Sequence, residues 1–357
     1  MLATLVRSAR ARTTIAAVTA VAAIGLAVPA SAGLLASDES PDTPAAGPTA
    51  TPGLDTLLDR LASSCETATK VPARLLSVPV DLSACDLRGT LVRAGALAVR
   101  VPRQAHTGAA AASLVTKQAP DNAVTKLSVV NTGREIVVDV LRVGDAPHGV
   151  RPGGSDEVHA AARDACSTRA HAYIGTRNDV LRWSFNRGTT PSYLSGSVAE
   201  SAITEGARIM SSGRNNCGLA ELDGIAQSYQ GATSQRFNCQ SPDGHNVIDF
   251  GPRPKSTLAT TCWWYSTRTG VRQVLEVDLR FQDNRGTFYY REPANCQKRF
   301  QLTGVAVHEF GHAFGLAHVN EKRYPQLTMS PAAPVCSPAQ ASLGRGDWLG
   351  LRHLYGE

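Results

Sequence analysis

The sequence predicts an α+β fold, a sheet with helices packed behind it, preceded by a smaller β-rich region. Three observations carry this. From about residue 180 onward the pattern runs strand, helix, several strands, helix, with apolar residues first at alternating and then at helical spacing. Residues 54–150 hold β-like runs and little helical pattern beyond their start. Between the two parts, Arg151-Pro152-Gly153-Gly154-Ser155-Asp156 reads as a turn-rich break and a candidate boundary, and 357 residues suit about two domains at roughly 150 each.

In chain order, residues 1–32 carry Arg7, Arg10 and Arg12 with no acid, an apolar stretch from Ile15 to Val28, and Ala30-Ser31-Ala32 before Gly33, the pattern of a secretory signal peptide. The apolar stretch is shorter than the roughly 20 residues that span a bilayer, so no membrane anchor is expected after signal cleavage. Residues 33–53 read as a flexible leader, because the Ser, Asp, Thr, Pro, Ala and Gly of 37–53 cannot bury a core. Residues 54–155 form the β-rich N-terminal region, with a short helical opening at Leu54, Leu57, Leu58 and Leu61 and strand-like runs at Leu91–Val101, Lys126–Val130 and Glu135–Leu141. No recognisable chemistry lies there.

The second part opens with a helix or turn around Glu157–Ala172 and a strand over Val180–Asn186, with Leu181, Trp183 and Phe185 on one face. A helix follows over Tyr193–Met210, with Ser192 or Ser195 as its cap. Strands are predicted at Gly224–Tyr229, Val247–Phe250, Leu258–Tyr265 and Val274–Phe281, and a second helix from near Leu302 to about Phe314.

Export makes the eight cysteines interpretable as disulfides: Cys65 and Cys85 precede residue 165, and Cys166, Cys217, Cys239, Cys262, Cys296 and Cys336 follow it, so each part can close its own bridges. The formal charge is +6, and without the three signal arginines 33 basic residues face 30 acidic ones with no block of like charge, which argues against nucleic acid as a partner.

The second predicted helix contains His308-Glu309-Phe310-Gly311-His312, continuing to Gly315 and His318. Two imidazoles at i and i+4 share one helix face and can reach one ion. Glu309 lies about 100° round the helix, where its carboxylate can reach a water at the metal without becoming a ligand. Gly315 can take φ > 0, end the helix and return His318 to the same ion. Three neutral imidazoles leave a fourth position open, the arrangement of a catalytic zinc site, and one catalytic Zn2+ is the expected cofactor. His106, His148, His159, His171, His245 and His353 show no ligand spacing.

On these residues the chain resembles the metzincin metallopeptidases, and within them the matrixin-like branch with its secreted bacterial members, over roughly 160–357. The features are the HExxHxxGxxH string at 308–318, Leu327-Thr328-Met329-Ser330-Pro331, and the ending Gly346-Asp347-Trp348-Leu349-Gly350-Leu351-Arg352-His353-Leu354-Tyr355-Gly356. The resemblance implies a metzincin-type catalytic domain: a mixed twisted sheet of about five strands, an active-site helix, a turn beneath the metal formed by Met329, and a C-terminal helix. It also implies that Leu258–Trp264 is an edge strand, with Leu258, Ala259, Thr260 and Thr261 pairing with an extended peptide substrate. Asp347 matches one of two adjacent acids that tie the Met-turn or the mature N-terminus; Gly346 replaces the other. The pocket beside the zinc would be walled by Met329 to Leu343, with Cys336 pinning that loop. Calcium is a candidate near Asp278, Asp283 and Asn284. No Pro-Arg-Cys-Gly-type latency segment is present; Cys85 is the nearest thing to its thiolate, against a disulfide with Cys65.

The expected function is a secreted, extracellular zinc-dependent endopeptidase, a monomer acting on proteins or peptides such as those of the extracellular matrix, with residues 54–155 either a pro-segment or an ancillary domain. The alternative is a secreted zinc-containing binding or adhesion protein on a metzincin scaffold with little or no catalysis. Retention of Glu309 favours the first, since holding zinc does not require it.

Overall fold

The computed structural model describes residues 65, 69–143, 145, 164–223 and 225–356. The expected signal peptide, leader, helical opening at 54–61 and 150–156 break, and the start of the segment at 157–163, lie outside the described residues, which all fall within one compact unit, Pro52–Glu357.

The N-terminal region is built from β1 (Lys70–Pro72), β2 (Val80–Asp81), β3 (Leu91–Ala94), β4 (Leu97–Arg100), β5 (Thr107–Thr116), β6 (Val124–Asn131) and β7 (Glu135–Arg142). Then come β8 (Ala172–Tyr173), β9 (Leu181–Phe185), α1 (Gly196–Ser212), β10 (Gln227–Ala232), β11 (Val247–Gly251), β12 (Thr257–Ser266), β13 (Gln273–Gln282), β14 (Phe288–Tyr289) and β15 (Phe300–Gln301). The chain ends with α2 (Leu302–Ala313), β16 (Leu316–Ala317), β17 (Ala332–Ala333) and α3 (Arg345–Tyr355). The described residues at 164–171 form a turn rather than a helix, closed by Ser167 N–H on the Asp164 carbonyl and leading into β8.

The α+β class holds. Five strands of the C-terminal part lie in the order β10-β9-β11-β13-β12, parallel except for the antiparallel β12–β13 pair. Behind this sheet α1 and α2 pack on each other so closely that a Cβ on Gly206 would stand 2.6 Å from the Ala306 Cβ. Ser195 caps α1 by accepting the Val198 N–H, and Gly213 ends it in the left-handed region at φ 64°. Between helices and sheet, Trp183, Phe185, Phe250, Phe281, Phe310 and Phe314 are buried in one apolar core.

The sheet does not stop at β12. It continues antiparallel through β5, β6, β7 and β2, so strands from before and after residue 150 share one ten-stranded sheet. This corrects the expectation that Leu258, Ala259, Thr260 and Thr261 lie on an edge strand. β12 is paired on both sides, by β13 and by β5. The covering strand is Thr-Gly-Ala-Ala-Ala-Ala-Ser-Leu-Val-Thr, whose small side chains let its backbone close against the large ones of β12. At Gly108, a Cβ would fall 2.2 Å from the Tyr265 ring.

All eight cysteines pair, as Cys65–Cys85, Cys166–Cys217, Cys239–Cys262 and Cys296–Cys336. Cys85 therefore offers no free thiolate to a metal. Among the described residues no helix is long and apolar enough to cross a membrane.

Candidate active site

Every residue of α2 is buried, so the helix runs through the core and carries His308, Glu309 and His312 into an interior site. It stops where the sequence places the stop: Gly315 has φ 90°, and a Cβ there would meet the Gly175 carbonyl oxygen at 1.9 Å. The turn returns His318 to the two helix histidines. His318 Nε2 lies 3.1 Å from His308 Nε2 and 3.0 Å from His312 Nε2. Between Gly315 and His318, β16 pairs with β8 and anchors the loop.

The three rings are set for a cation. His308 Nδ1 stands 2.7 Å from the Thr328 carbonyl and His312 Nδ1 stands 2.9 Å from the Leu316 carbonyl, contacts that place a proton on each Nδ1 and leave the Nε2 lone pairs facing inward. Burial holds His312 down to about 4 and His308 and His318 well below the ordinary histidine range, so all three are neutral. Three converging lone pairs cannot hydrogen-bond one another, whereas ligands about 2.0–2.1 Å from one tetrahedral Zn2+ sit about 3.3 Å apart, close to the spacing seen. The residues fit the metal. Among the described residues this is the one group of three or more His, Cys, Asp or Glu side chains placed to hold an ion.

Calcium near Asp278, Asp283 and Asn284 finds no support. Asp278 is fully buried and both its oxygens are taken, by the N–H groups of Asn238 and Val247 at 2.7 Å each.

Glu309 is also fully buried, beside the triad and outside it. Burial pushes its carboxyl up to about 8, opposed by a hydrogen bond from the Thr261 hydroxyl, the Arg253 charge and the backbone N–H of Leu114. Glu309 Oε1 has no hydrogen-bond partner.

Met329 lies under the helix. Gly311 leaves room for it, since a Cβ there would come 2.4 Å from Met329 Sδ. Asp347 holds this turn from α3: Oδ1 accepts the Met329 N–H at 3.0 Å, and Oδ2 accepts those of Thr328 at 2.9 Å and Gly344 at 3.0 Å. Thr328 thus links Asp347 through its N–H to His308 through its carbonyl. The place of a second acid is closed, because a Cβ on Gly346 would stand 2.0 Å from the Ala170 carbonyl oxygen. Cys336, in its bridge to Cys296, pins the segment after the turn.

Of the strand candidates, Thr261 reaches the site by holding Glu309, Thr260 hydrogen-bonds Ser113, and Leu258 and Ala259 join the core. Sequence reasoning missed Thr261 as a support of the carboxylate, the two carbonyls that orient the histidines, and β5. For Thr261, its period-2 place on the face of β12 that carries Ala259 and Trp263 was the available signal.

Residues 232–356 match the family model of the matrixins, a stretch that runs from the end of β10 to the end of α3 and includes all three histidines, Glu309, Met329 and Asp347. The match supports a matrixin-like metzincin metallopeptidase domain over this part of the chain. No curated protein matches the chain.

Proposed function

We propose that the chain is a secreted zinc-dependent endopeptidase that hydrolyses peptide bonds of extracellular proteins as a monomer. The observation that carries this is the convergence of the His308, His312 and His318 Nε2 atoms beside a buried carboxyl that is not one of the ligands. Zinc held by these three would make a neighbouring water acidic near neutral pH and polarise the scissile carbonyl. Glu309 takes a proton from the attacking water and passes it to the leaving amine, a role suited to a buried carboxyl that is free of the three ligands. Thr261 fixes the orientation of that carboxyl, and the Thr328 and Leu316 carbonyls fix the imidazole tautomers. Secretion is supported by the charged, apolar and Ala-Ser-Ala pattern of residues 1–32 and by the pairing of all eight cysteines.

The test compares the zinc-loaded parent with Glu309→Gln, following cleavage of an unfolded protein and of the chain itself by gel and mass spectrometry. The parent should cut, lose cutting on chelation and regain it with zinc; Glu309→Gln should bind zinc equally and cut nothing. A parent that holds zinc and cuts nothing, or a variant that still cuts, contradicts the reading.

A further inference from the structure

The end of the ten-stranded sheet away from the histidines is built by the N-terminal strands alone. Strand β7 has β6 along one side, but on the other it meets only the two residues of β2, at Glu135 and Ile136. From Val138 to Arg142 that edge has no strand beside it among the described residues. The turn that opens β7 fixes which backbone groups face outward. The Arg134 carbonyl takes the Leu82 N–H on the β2 side, whereas the Glu135 carbonyl takes the Thr132 N–H on the β6 side. Backbone groups alternate along a strand, so Val138 and Val140 turn their N–H and C=O to the open edge.

Beside this edge lies a hollow of about 310 Å3, between β7, the turn Ala73–Leu75 that follows β1, and the turn joining β3 to β4. Half-buried Val138 and Val140 and buried Leu76 give it an apolar floor, and the exposed Arg74, Arg93 and Arg142 stand round it. No acidic side chain lines it, and neither Arg74 nor Arg93 pairs with a carboxylate among the described residues. The surrounding composition agrees. Residues 69–143 hold ten Lys and Arg against five Asp and Glu, and two of those acids, Asp86 and Asp139, are already paired with Arg88 and Lys126. Edge strands are ordinarily blunted by lysine, proline or a bulge. The run Ile136-Val137-Val138-Asp139-Val140-Leu141 holds no lysine or proline, and the register shift of this pair lies on β6, so the edge keeps its capacity to pair.

We propose that this edge and hollow form a docking site for an extended acidic segment of a partner protein, which adds to β7 as a further strand and sets its carboxylates among Arg74, Arg93 and Arg142. Main-chain bonds to Val138 and Val140 supply pairing that any sequence can make. Alternate side chains of the added strand fall on the face of the hollow, where the guanidinium groups select acid. The site lies three strands from β12, about 14 Å at the spacing of neighbouring strands, so it is separate from the histidines and uses neither a metal nor Glu309. It gives the N-terminal part a role of its own, holding a protein by an acidic stretch.

The test uses the full zinc-loaded chain carrying Glu309→Gln, so that no probe is cut. A fluorescent peptide of about eight residues, alternating glutamate and valine, is titrated in and followed by anisotropy. It should bind, and bind less as salt rises from about 0.05 M to about 0.5 M, while its lysine and valine counterpart should not bind. Arg74→Glu with Arg93→Glu should weaken binding at least about tenfold, with zinc content and melting temperature unchanged. Methylating the backbone nitrogens of either the glutamates or the valines removes one set of strand donors, so one of these two peptides should bind at least about tenfold more weakly. Absence of binding, or equal binding by the lysine peptide or to the arginine variant, overturns the proposal. Undiminished binding of both methylated peptides, with displacement by inorganic phosphate, marks an anion pocket without strand addition and overturns it likewise. Nothing in the assay depends on cleavage, so its outcome leaves the peptidase reading untouched.

Discussion

The Thr261 hydroxyl on β12 donates to the carboxylate of Glu309 on α2, joining sheet to active-site helix at a buried point. It is the one direct hydrogen bond that the Glu309 carboxylate makes, since its other oxygen has no partner. Thr261→Val keeps the shape and removes the donor. A hydrogen bond to a charged group is worth about 1.5–3 kcal/mol, so kcat/KM should fall about tenfold to a hundredfold with zinc content unchanged. Thr261→Ser should retain most activity, and an unaltered rate in the valine variant would remove Thr261 from the machinery.

Metal binding should separate ligands from their neighbour. A ligand held by the folded state alone raises stability by about 4 kcal/mol at a thousandfold excess over its Kd. Zinc should therefore raise the melting temperature of the parent and of Glu309→Gln, and chelation should reverse the rise. His312→Ala should show no such response; a normal rise in that variant would mean that zinc sits elsewhere.

Gly311 and Met329 share one space. With Met329 Sδ 2.4 Å and Met210 Cε 3.0 Å from where a Cβ would stand, Gly311→Ala forces at least the Met329 side chain to shift. Overpacking of this kind costs about 1–3 kcal/mol, read as a lowered denaturation midpoint. A larger helix propensity for alanine works the other way by up to about 1 kcal/mol, so a stabilised variant would show that Met329 moves freely.

Asp347 gives a pH dependence. Burial pushes its carboxyl up to about 6 from 3.8, against the three backbone N–H groups that favour the ionised form. The folded state therefore holds the proton more tightly than the unfolded chain, and the stability contributed by this group is full below about pH 4 and lost as pH rises through about 6, by about 3 kcal/mol. The melting-temperature difference between parent and Asp347→Asn should shrink from pH 4 to pH 7. A difference that grows over that range would show that the three hydrogen bonds outweigh burial.

The Cys296–Cys336 bridge, with a sequence separation of 40, closes a loop that contains α2 and all three histidines. Replacing both cysteines by alanine should lower stability by about 2–4 kcal/mol, measured by denaturant unfolding, while the three histidines, anchored elsewhere, keep their zinc.

Much of the catalytic part was legible because its signals are local. The i, i+4 histidines, the helix-ending Gly315 and the returning His318 sit within eleven residues, and one helical turn brings them together whatever the rest of the fold does. Helix α1, with its Ser195 cap, and strands β9, β11, β12 and β13 were legible for the same reason, since an apolar period of 3.6 or 2 is written along each. Strand β5 was not. Its run of four alanines between Gly108 and Ser113 shows no contrast between faces, so period 2 leaves no trace, and alanine favours helix locally.

The sequence by itself determined the histidine triad, the place of Glu309 beside it, the methionine turn and the order of helices and strands around them, because each depends on spacing along the chain. Only the tertiary structure decided that β12 is covered, that Thr261 holds Glu309, that Asp347 holds the Met-turn without a second acid, and which cysteines pair. Those depend on which distant segments meet: Ala112 with Thr261, Thr261 with Glu309, Asp347 with Thr328. Such meetings are chosen by close packing across the whole core, where a strand of small residues fits between larger ones, and no local pattern encodes that fit.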